Sequence, residues 1–503
     1  MYATSESGFG SVASKAGAGG CFMRPIRRSY KINPLKRSEG SSAPAAFHNN
    51  PGNKEDHMRT EYDFIGSKEL PEDALYGINT ARALENFALP SSRVNKGLIN
   101  SVVLIKKAAA RTCLQLGIGN EKHESAIERA CDAILSGKYD DAFALSAFQG
   151  GAGTSTNMCV NEIVANLALK DLGYEAGRYD IIHPLDHVNR GQSTNDVYPT
   201  ALRITAITRL RKLSDECSAL QISLQEKENE WADIDKLGRT QLMDAVPVTL
   251  GGEFGAYAQA IARDRWRLYK VEERLRQVNI GGGAVGLGKR DERKYRVYLL
   301  EELRRLTGFG LAAAEYPMDL TQNNDVFVEV SGLLKALAVN LMKIANDLRL
   351  MNSGPYGGLG EVRLKAVQQG STVMAGKVNP VICEMTMQCA MRVIGNDNSI
   401  TMAAAHGEFE LNAFLPLIAQ CLLESLELLS AAVHIFREKA IFPLKANAEN
   451  CLAHLEDSAA FAARYVPLLG YDAVSEILKN SPPAEAKNKL EDALEQKRLN
   501  GSV

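Results

Sequence analysis

The sequence predicts an all-α protein built on a bundle of long helices, on the strength of two helical stripes and one missing pattern. Within 326–351, Leu334, Leu337, Leu341, Ile344 and Leu348 recur at alternating steps of three and four, with Lys335, Asn340, Lys343 and Asp347 between them. That spacing lays one apolar stripe along one helix face. Leu422, Leu426, Leu429, Val433 and Phe436 repeat it in a second long helix. Strand-like alternation is nearly absent.

Residues 1–57 stand apart. They are rich in Gly, Ser and Ala and carry Arg24, Arg27, Arg28, Lys31, Lys36 and Arg37, with only Glu6 and Glu39 before Glu55. Too few apolar residues repeat to repay the entropy of ordering them. A disordered extension is expected, with the cytoplasm as the expected location. Acid-poor termini containing Arg and Ser are also the composition of organelle transit peptides, so organelle targeting by this extension is the alternative. The fold is expected to begin near Glu61, with an N-terminal domain over 58–200, a central helical domain over 201–440 and a small C-terminal helical domain over 441–503.

Inside the central domain, 201–237 and 254–278 read as two further long helices, ended by Gly238 and by Gly281-Gly282-Gly283. Gly354-Pro355 closes the helix over 326–351, because Gly accepts a left-handed cap and Pro cannot extend the ladder. Long helices joined by short Gly-marked turns indicate a bundle. Ala336, Ala338, Val339 and Ala345 make one helix apolar on more than one face, which asks for burial on every side. Subunits packing together would supply it.

Composition removes several classes of function. A net charge of -2 lacks the basic face that phosphate binding needs, so no nucleic-acid partner is expected. No run approaches the ~20 uninterrupted apolar residues of a membrane span. The nine cysteines are scattered and odd in number, without a C-x-x-C pair, which fits a reducing compartment better than disulfides or zinc. The eight histidines include no H-E-x-x-H spacing. No cofactor and no resident metal are expected; activation by a divalent metal leaves no mark that can be read.

Gly281-x-Gly283-x-x-Gly286 matches a dinucleotide fingerprint, but no buried strand precedes it and Lys289-Arg290-Asp291 follows where an apolar helix face should be. It reads as a turn between bundle helices. A richer segment is 370–380, where Gly370, Ser371, Thr372, Gly376, Lys377, Asn379 and Pro380 crowd one loop. Small residues expose backbone N–H groups, Lys377 supplies a point charge for a carboxylate and Asn379 an oriented amide. Two more clusters, 150–157 with Thr154 and Asn157, and 191–196 with Ser193, Thr194 and Asn195, place hydroxyls and amides at helix starts. Helix N-termini favour anions. Simple capping needs one such residue, and each cluster has several. Three donor-rich patches with one obvious cation suit a small dicarboxylate.

From Glu61-Tyr62-Asp63 to about Tyr471 the chain resembles the aspartase and class II fumarase superfamily. GSTVMAGKVNP at 370–380 is similar to its signature, and the K-V-N-P ending favours this branch over the argininosuccinate and adenylosuccinate lyases. Gly153-Thr154-Ser155-Thr156-Asn157-Met158, Ser193-Thr194-Asn195 and the Gln of Gly238-Arg239-Thr240-Gln241 resemble the ammonia-lyase form. Fumarases carry His in place of that Gln, thought to help activate water. The resemblance implies a three-domain helical fold whose central bundle joins three others into a twenty-helix homotetramer core, with each site built from three chains. It implies deamination of L-aspartate to fumarate, class II fumarate hydration or another dicarboxylic amino-acid elimination being the alternative. It also implies roles: Ser371 as the base with neighbouring Lys377 as its catalytic partner, Lys377 and Asn379 (with Thr372 beside them) on one carboxylate, and Thr154, Ser193, Thr194 and Asn195 on the other, with Asn157 nearby. Thr240 and Gln241 would reach in from another subunit and Glu384 would support the site from behind. His183 would serve either a substrate or effector contact or a structural role. Departures from the pattern are Thr372 for a second Ser, Ala375 for Pro, Gly283 and Leu287 for Thr, and Met243 and Gly252 for Gln.

Overall fold

Residues 57–288 and 293–499 of a computed structural model are described; the expected extension, but for His57, and the Lys289-Arg290-Asp291 run lie outside them. The described chain enters through an antiparallel hairpin of β1 (Met58–Asp63) and β2 (Gly66–Pro71). Arg59 ties it to the segment leading into the first helix, its guanidinium donating to the carbonyl oxygens of Pro71, Ala74 and Tyr76. Four helices come next: α1 (Ile78–Asn86), α2 (Lys96–Leu116), α3 (Glu121–Leu135) and α4 (Thr154–Asp171). Glu162 of α4 is buried, yet its carboxylate accepts from the N–H groups of Gly77, Asn79 and Thr80 and from the Thr80 hydroxyl. A carboxylate at a helix N-terminus meets the positive end of the dipole, so α4 is pinned across the start of α1.

The centre is a bundle of five long helices: α5 (Thr194–Glu230), α6 (Leu250–Leu275), α9 (Asp325–Met351), α10 (Val381–Ala405) and α11 (Leu415–Phe436), with the short α7 (Arg293–Thr307) and α8 (Pro317–Gln322) between α6 and α9. α5 packs on α6 and α11, α6 on α9, and α10 on both α9 and α11. The expected stripe of α9, Leu334 to Leu348, is buried at all five positions. Each such side chain contributes roughly 1.5–3 kcal/mol by leaving water, so truncating Leu341 to Ala would cost about 2–5 kcal/mol. The segment 415–441 reaches a mean hydropathy of 1.4 and is long enough to span a membrane by composition. Its leucines are spent on α5, α9 and α10 instead, with Leu422, Leu423, Leu426 and Leu429 fully buried.

One boundary differs from the expectation. The long helix after residue 201 does not run to Gly238; it ends at Glu230. Trp231 leaves the helix to pack edge-on against Phe254, with ring centroids 4.8 Å apart. The chain then forms a second hairpin, β3 (Asp235–Thr240) and β4 (Met243–Thr249). Gly238 sits at its bulge, where a Cβ would lie 2.5 Å from the Val246 carbonyl oxygen. The periodicity missed this hairpin because residues 240–247 are mostly exposed and carry no buried–exposed alternation.

After the bundle come α12 (Ala448–Glu456), α13 (Val466–Leu469), α14 (Tyr471–Lys479) and α15 (Pro483–Leu499). Phe461, Tyr465, Val474, Ala486 and Leu490 form a small core of their own there. On the outside of the bundle, Trp266 and Tyr269 of α6, Val339 of α9, and Met391 and Met402 of α10 are exposed.

Candidate active site

The turn before α5 is built from the inside out. Ser193 caps the helix: its Oγ accepts from the Asn195 N–H (3.2 Å), while Asp196 Oδ1 accepts from the Ser193 N–H (3.0 Å). This reciprocal box satisfies two donors that a helix start leaves open. The other Asp196 oxygen accepts from the N–H groups of Gly281 (3.1 Å) and Gly283 (2.8 Å). The glycine motif is therefore an anion nest, and its anion is the protein's own carboxylate. Burial pushes the Asp196 carboxyl up to about 7, against the pull of those three N–H groups. Pro199 lies in the second turn of α5 and has no N–H for the Asn195 carbonyl. Asn279 replaces it, Nδ2 donating to Asn195 O at 3.0 Å, and Asn195 Nδ2 donates to Ala284 O at 2.7 Å.

These links make 281–288 more than a turn between helices. With Gly191, Gln192 and Ser193 it lines a cavity of about 560 Å³. Asn157 of α4 joins from behind, Nδ2 donating to Thr194 Oγ1 (3.1 Å) and Asn189 Oδ1 (3.2 Å). Both amide hydrogens are thus committed, and Asn157 orients Thr194 rather than offering a free donor. Because Thr194 accepts there, its own hydroxyl hydrogen is left for a ligand. Thr154 begins α4 and is exposed, but its hydroxyl donates to Gly151 O (2.7 Å) and must turn to reach a carboxylate. His183 Nδ1 accepts from the N–H groups of Leu185 and Asp186, both at 3.2 Å. That places the ring proton on Nε2 and makes His183 the cap of the wide helical turn Pro184–Val188.

The loop before α10 is open. Gly370 N–H donates to Lys377 O (2.8 Å) and Asn379 Nδ2 to Gly370 O (2.8 Å), closing a neck. A Cβ at Gly370 would meet Asn379 N at 2.7 Å. One Asn379 hydrogen is therefore used in the neck. Above it, Ser371 Oγ accepts from the N–H groups of Val373 (3.1 Å) and Met374 (2.9 Å). Two donors on that oxygen favour its deprotonated form. Thr372 and Lys377 are exposed, Lys377 without an ion pair among the described residues. The first turn of α10 holds Glu384, whose Oε1 is 3.9 Å from Arg349 Nη2.

A third group sits on the β3–β4 tip. Gln241 (φ 55°) and Leu242 (φ 64°) both adopt the left-handed conformation of a two-residue hairpin turn. Non-glycine residues there cost energy, and the hairpin is held by buried Glu361, paired with Arg239 (2.6 Å) and Lys236 (3.0 Å). Thr240 and Gln241 are exposed.

Within the single chain, no hydrogen bond among the described residues joins these three groups, and the cavity beside Ser193 is lined by neither Ser371 nor Lys377. Reading the sequence missed Asn189, Asp196 as the anchor of the glycine loop, and Lys106. Lys106 left one signal, a lysine inside the run Val102-Val103-Leu104-Ile105-Lys106-Lys107-Ala108-Ala109-Ala110.

Comparison with known proteins places this arrangement. A family described as lyase matches residues 66–395. The aspartate ammonia-lyase of Helicobacter pylori is 42% identical over 444 residues, spanning 88% of this chain and 95% of that protein. Among solved structures, a fumarate lyase:delta crystallin from Brucella melitensis has a TM-score of 0.81 at 42% identity, covering 86% of this chain and all of that one. A class II fumarase from Schistosoma mansoni reaches a TM-score of 0.83 at 31% identity, over 86% of this chain and 96% of that one. With that breadth of match in sequence and in helical architecture, the chain belongs to the lyase family that includes the aspartate ammonia-lyases and the class II fumarases.

Proposed function

We propose that this chain is an aspartate ammonia-lyase, carrying out the reversible anti-elimination of ammonia from L-aspartate to give fumarate. The observation that carries the chemistry is Ser371, whose hydroxyl oxygen already receives two backbone N–H groups. As an alkoxide it takes the proton beside the substrate's β-carboxylate, and the electron pair moves into that carboxylate as a doubly charged aci form. The pair then returns to form the carbon–carbon double bond as the C–N bond breaks. The protonated amino group leaves as ammonia without needing an acid. Fixed donors aimed at the developing charge lower such a barrier, each worth roughly 2.7–4 kcal/mol when deleted. Lys377 and Asn379, with Thr372 beside them, hold one carboxylate. Ser193, Thr194, Asn195 and Thr154 hold the other. Gln241, at the hairpin tip, offers no general base for water, which favours ammonia over water as the partner of fumarate. The relatives named aspartate ammonia-lyase support the same choice.

The assembly we propose is a homotetramer in which four five-helix bundles form a twenty-helix core. The exposed Trp266, Tyr269, Val339, Met391 and Met402 on bundle helices support it, since apolar surface of this kind asks for a partner. So does the separation of the three donor groups in one chain: a site built from three subunits would unite them. The test is ultraviolet absorbance of fumarate with L-aspartate or L-malate offered separately. Faster formation from aspartate is expected; faster formation from malate would overturn the assignment in favour of a hydratase.

A further inference from the structure

Lys106 is fully buried on α2, while its neighbour Lys107 pairs with Asp132. Its Nζ donates to two neutral amide oxygens, Asn189 Oδ1 and Gln192 Oε1, both at 2.8 Å. Among the described residues no carboxylate lies within ion-pair distance of it. The acid nearest in effect is Asp196, whose oxygens are occupied by the N–H groups of Ser193, Gly281 and Gly283. Burying an ammonium without a contacting anion is costly, and burial pulls this one down to about 7, opposed by Asp196 and by Cys131 of α3. A structural role alone does not require that charge, since an amide or an apolar chain would fill the space at lower cost.

The charge has a function if an anion arrives. Asn189 Oδ1 is shared between Lys106 Nζ and Asn157 Nδ2, and Asn157 in turn fixes the Thr194 hydroxyl. Gln192, held by the same ammonium, lines the cavity with Gly191 and Ser193. We propose that Lys106 is a positioning residue: its buried ammonium, with no anion in contact, orients Asn189 and Gln192 behind the 191–195 turn and supplies positive charge that selects a carboxylate there. This rests on the reading of that turn as one of the two carboxylate sites.

The test compares Lys106→Met and Lys106→Gln with the unaltered full-length protein, by calorimetric titration with succinate and with succinamate. Succinamate differs from succinate in having one carboxylate replaced by a neutral amide. The unaltered protein should prefer succinate, and that preference should shrink about tenfold in both variants. KM for aspartate should rise by a similar factor with kcat changed far less. Lys106→Gln retains donors for both amide oxygens, so it preserves the turn and reads the charge even if the Met variant does not fold. Equal weakening of both ligands, leaving the preference intact, would overturn the proposal and leave Lys106 a scaffold residue. The titration does not depend on turnover. Absence of fumarate formation by the unaltered protein would therefore sink the proposed activity separately.

Discussion

The turn over 189–196 and the loop over 370–379 carry comparable donors in opposite settings. In the first, Asn157 is locked to Asn189 and Thr194, and Asp196 to the glycine loop, mostly in the interior. In the second, a neck of two hydrogen bonds holds a crown in which Thr372 through Val378 are exposed. The difference separates two tasks. A rigid site recognises charge with little reorganisation, because its groups are already held in place. An open loop can present a base to a substrate held elsewhere, and it becomes dry only when something covers it.

Removing the base should have the largest effect: Ser371→Ala lowers kcat by about 10³-fold or more while aspartate binding stays nearly intact. Retained turnover would remove Ser371 from the role. Next is the packing of the rigid side. Gly153→Ala places a Cβ 2.2 Å from the buried Tyr198 ring at φ 92°, and thermal or denaturant unfolding should register a loss of about 2–4 kcal/mol. A milder loss would mean that the 150–157 side is as yielding as the loop. Lys377→Ala should act mainly on capture, raising KM roughly 30-fold, or about 2 kcal/mol; an unchanged KM would contradict it.

Two tests sharpen the contrast further. If the rigid and open halves of one site come from different subunits, mixing impaired Thr154→Ala and Lys377→Ala assemblies should restore activity at aspartate concentrations below their raised KM. Confirmed subunit exchange without recovery would place both halves in one chain. The smallest effect belongs to Ala375→Pro, which should stiffen the crown by about 0.4–1 kcal/mol and lower KM slightly. A rise in KM instead would indicate that the loop needs its freedom to close.

The bundle was legible because its signal is local. Leu334 to Leu348 and Leu422 to Phe436 repeat at helical spacing, and each of these positions is buried. The second hairpin was not, since its outer strand has almost no inward face, and Gly238 looked like a helix end when it marks a bulge. The same division runs through the site. Ser371, Lys377 and Asn379 announce themselves within eleven residues. The contacts of Lys106 with Asn189 and Gln192, and of Asp196 with Gly281 and Gly283, span more than eighty residues of chain and leave no periodic trace. Long-range polar pairing is decided by the fold, and single-residue spacing carries little of it.

Pro199 has a mechanical consequence. Because the Asn195 carbonyl is bound by Asn279 in place of an N–H from the next turn, the opening of α5 is fastened sideways to 279–284 as well as to the helix it begins. Whatever displaces Ser193 or Asn195 on ligand arrival must drag the glycine loop along, so the cavity wall and its floor move as one lever.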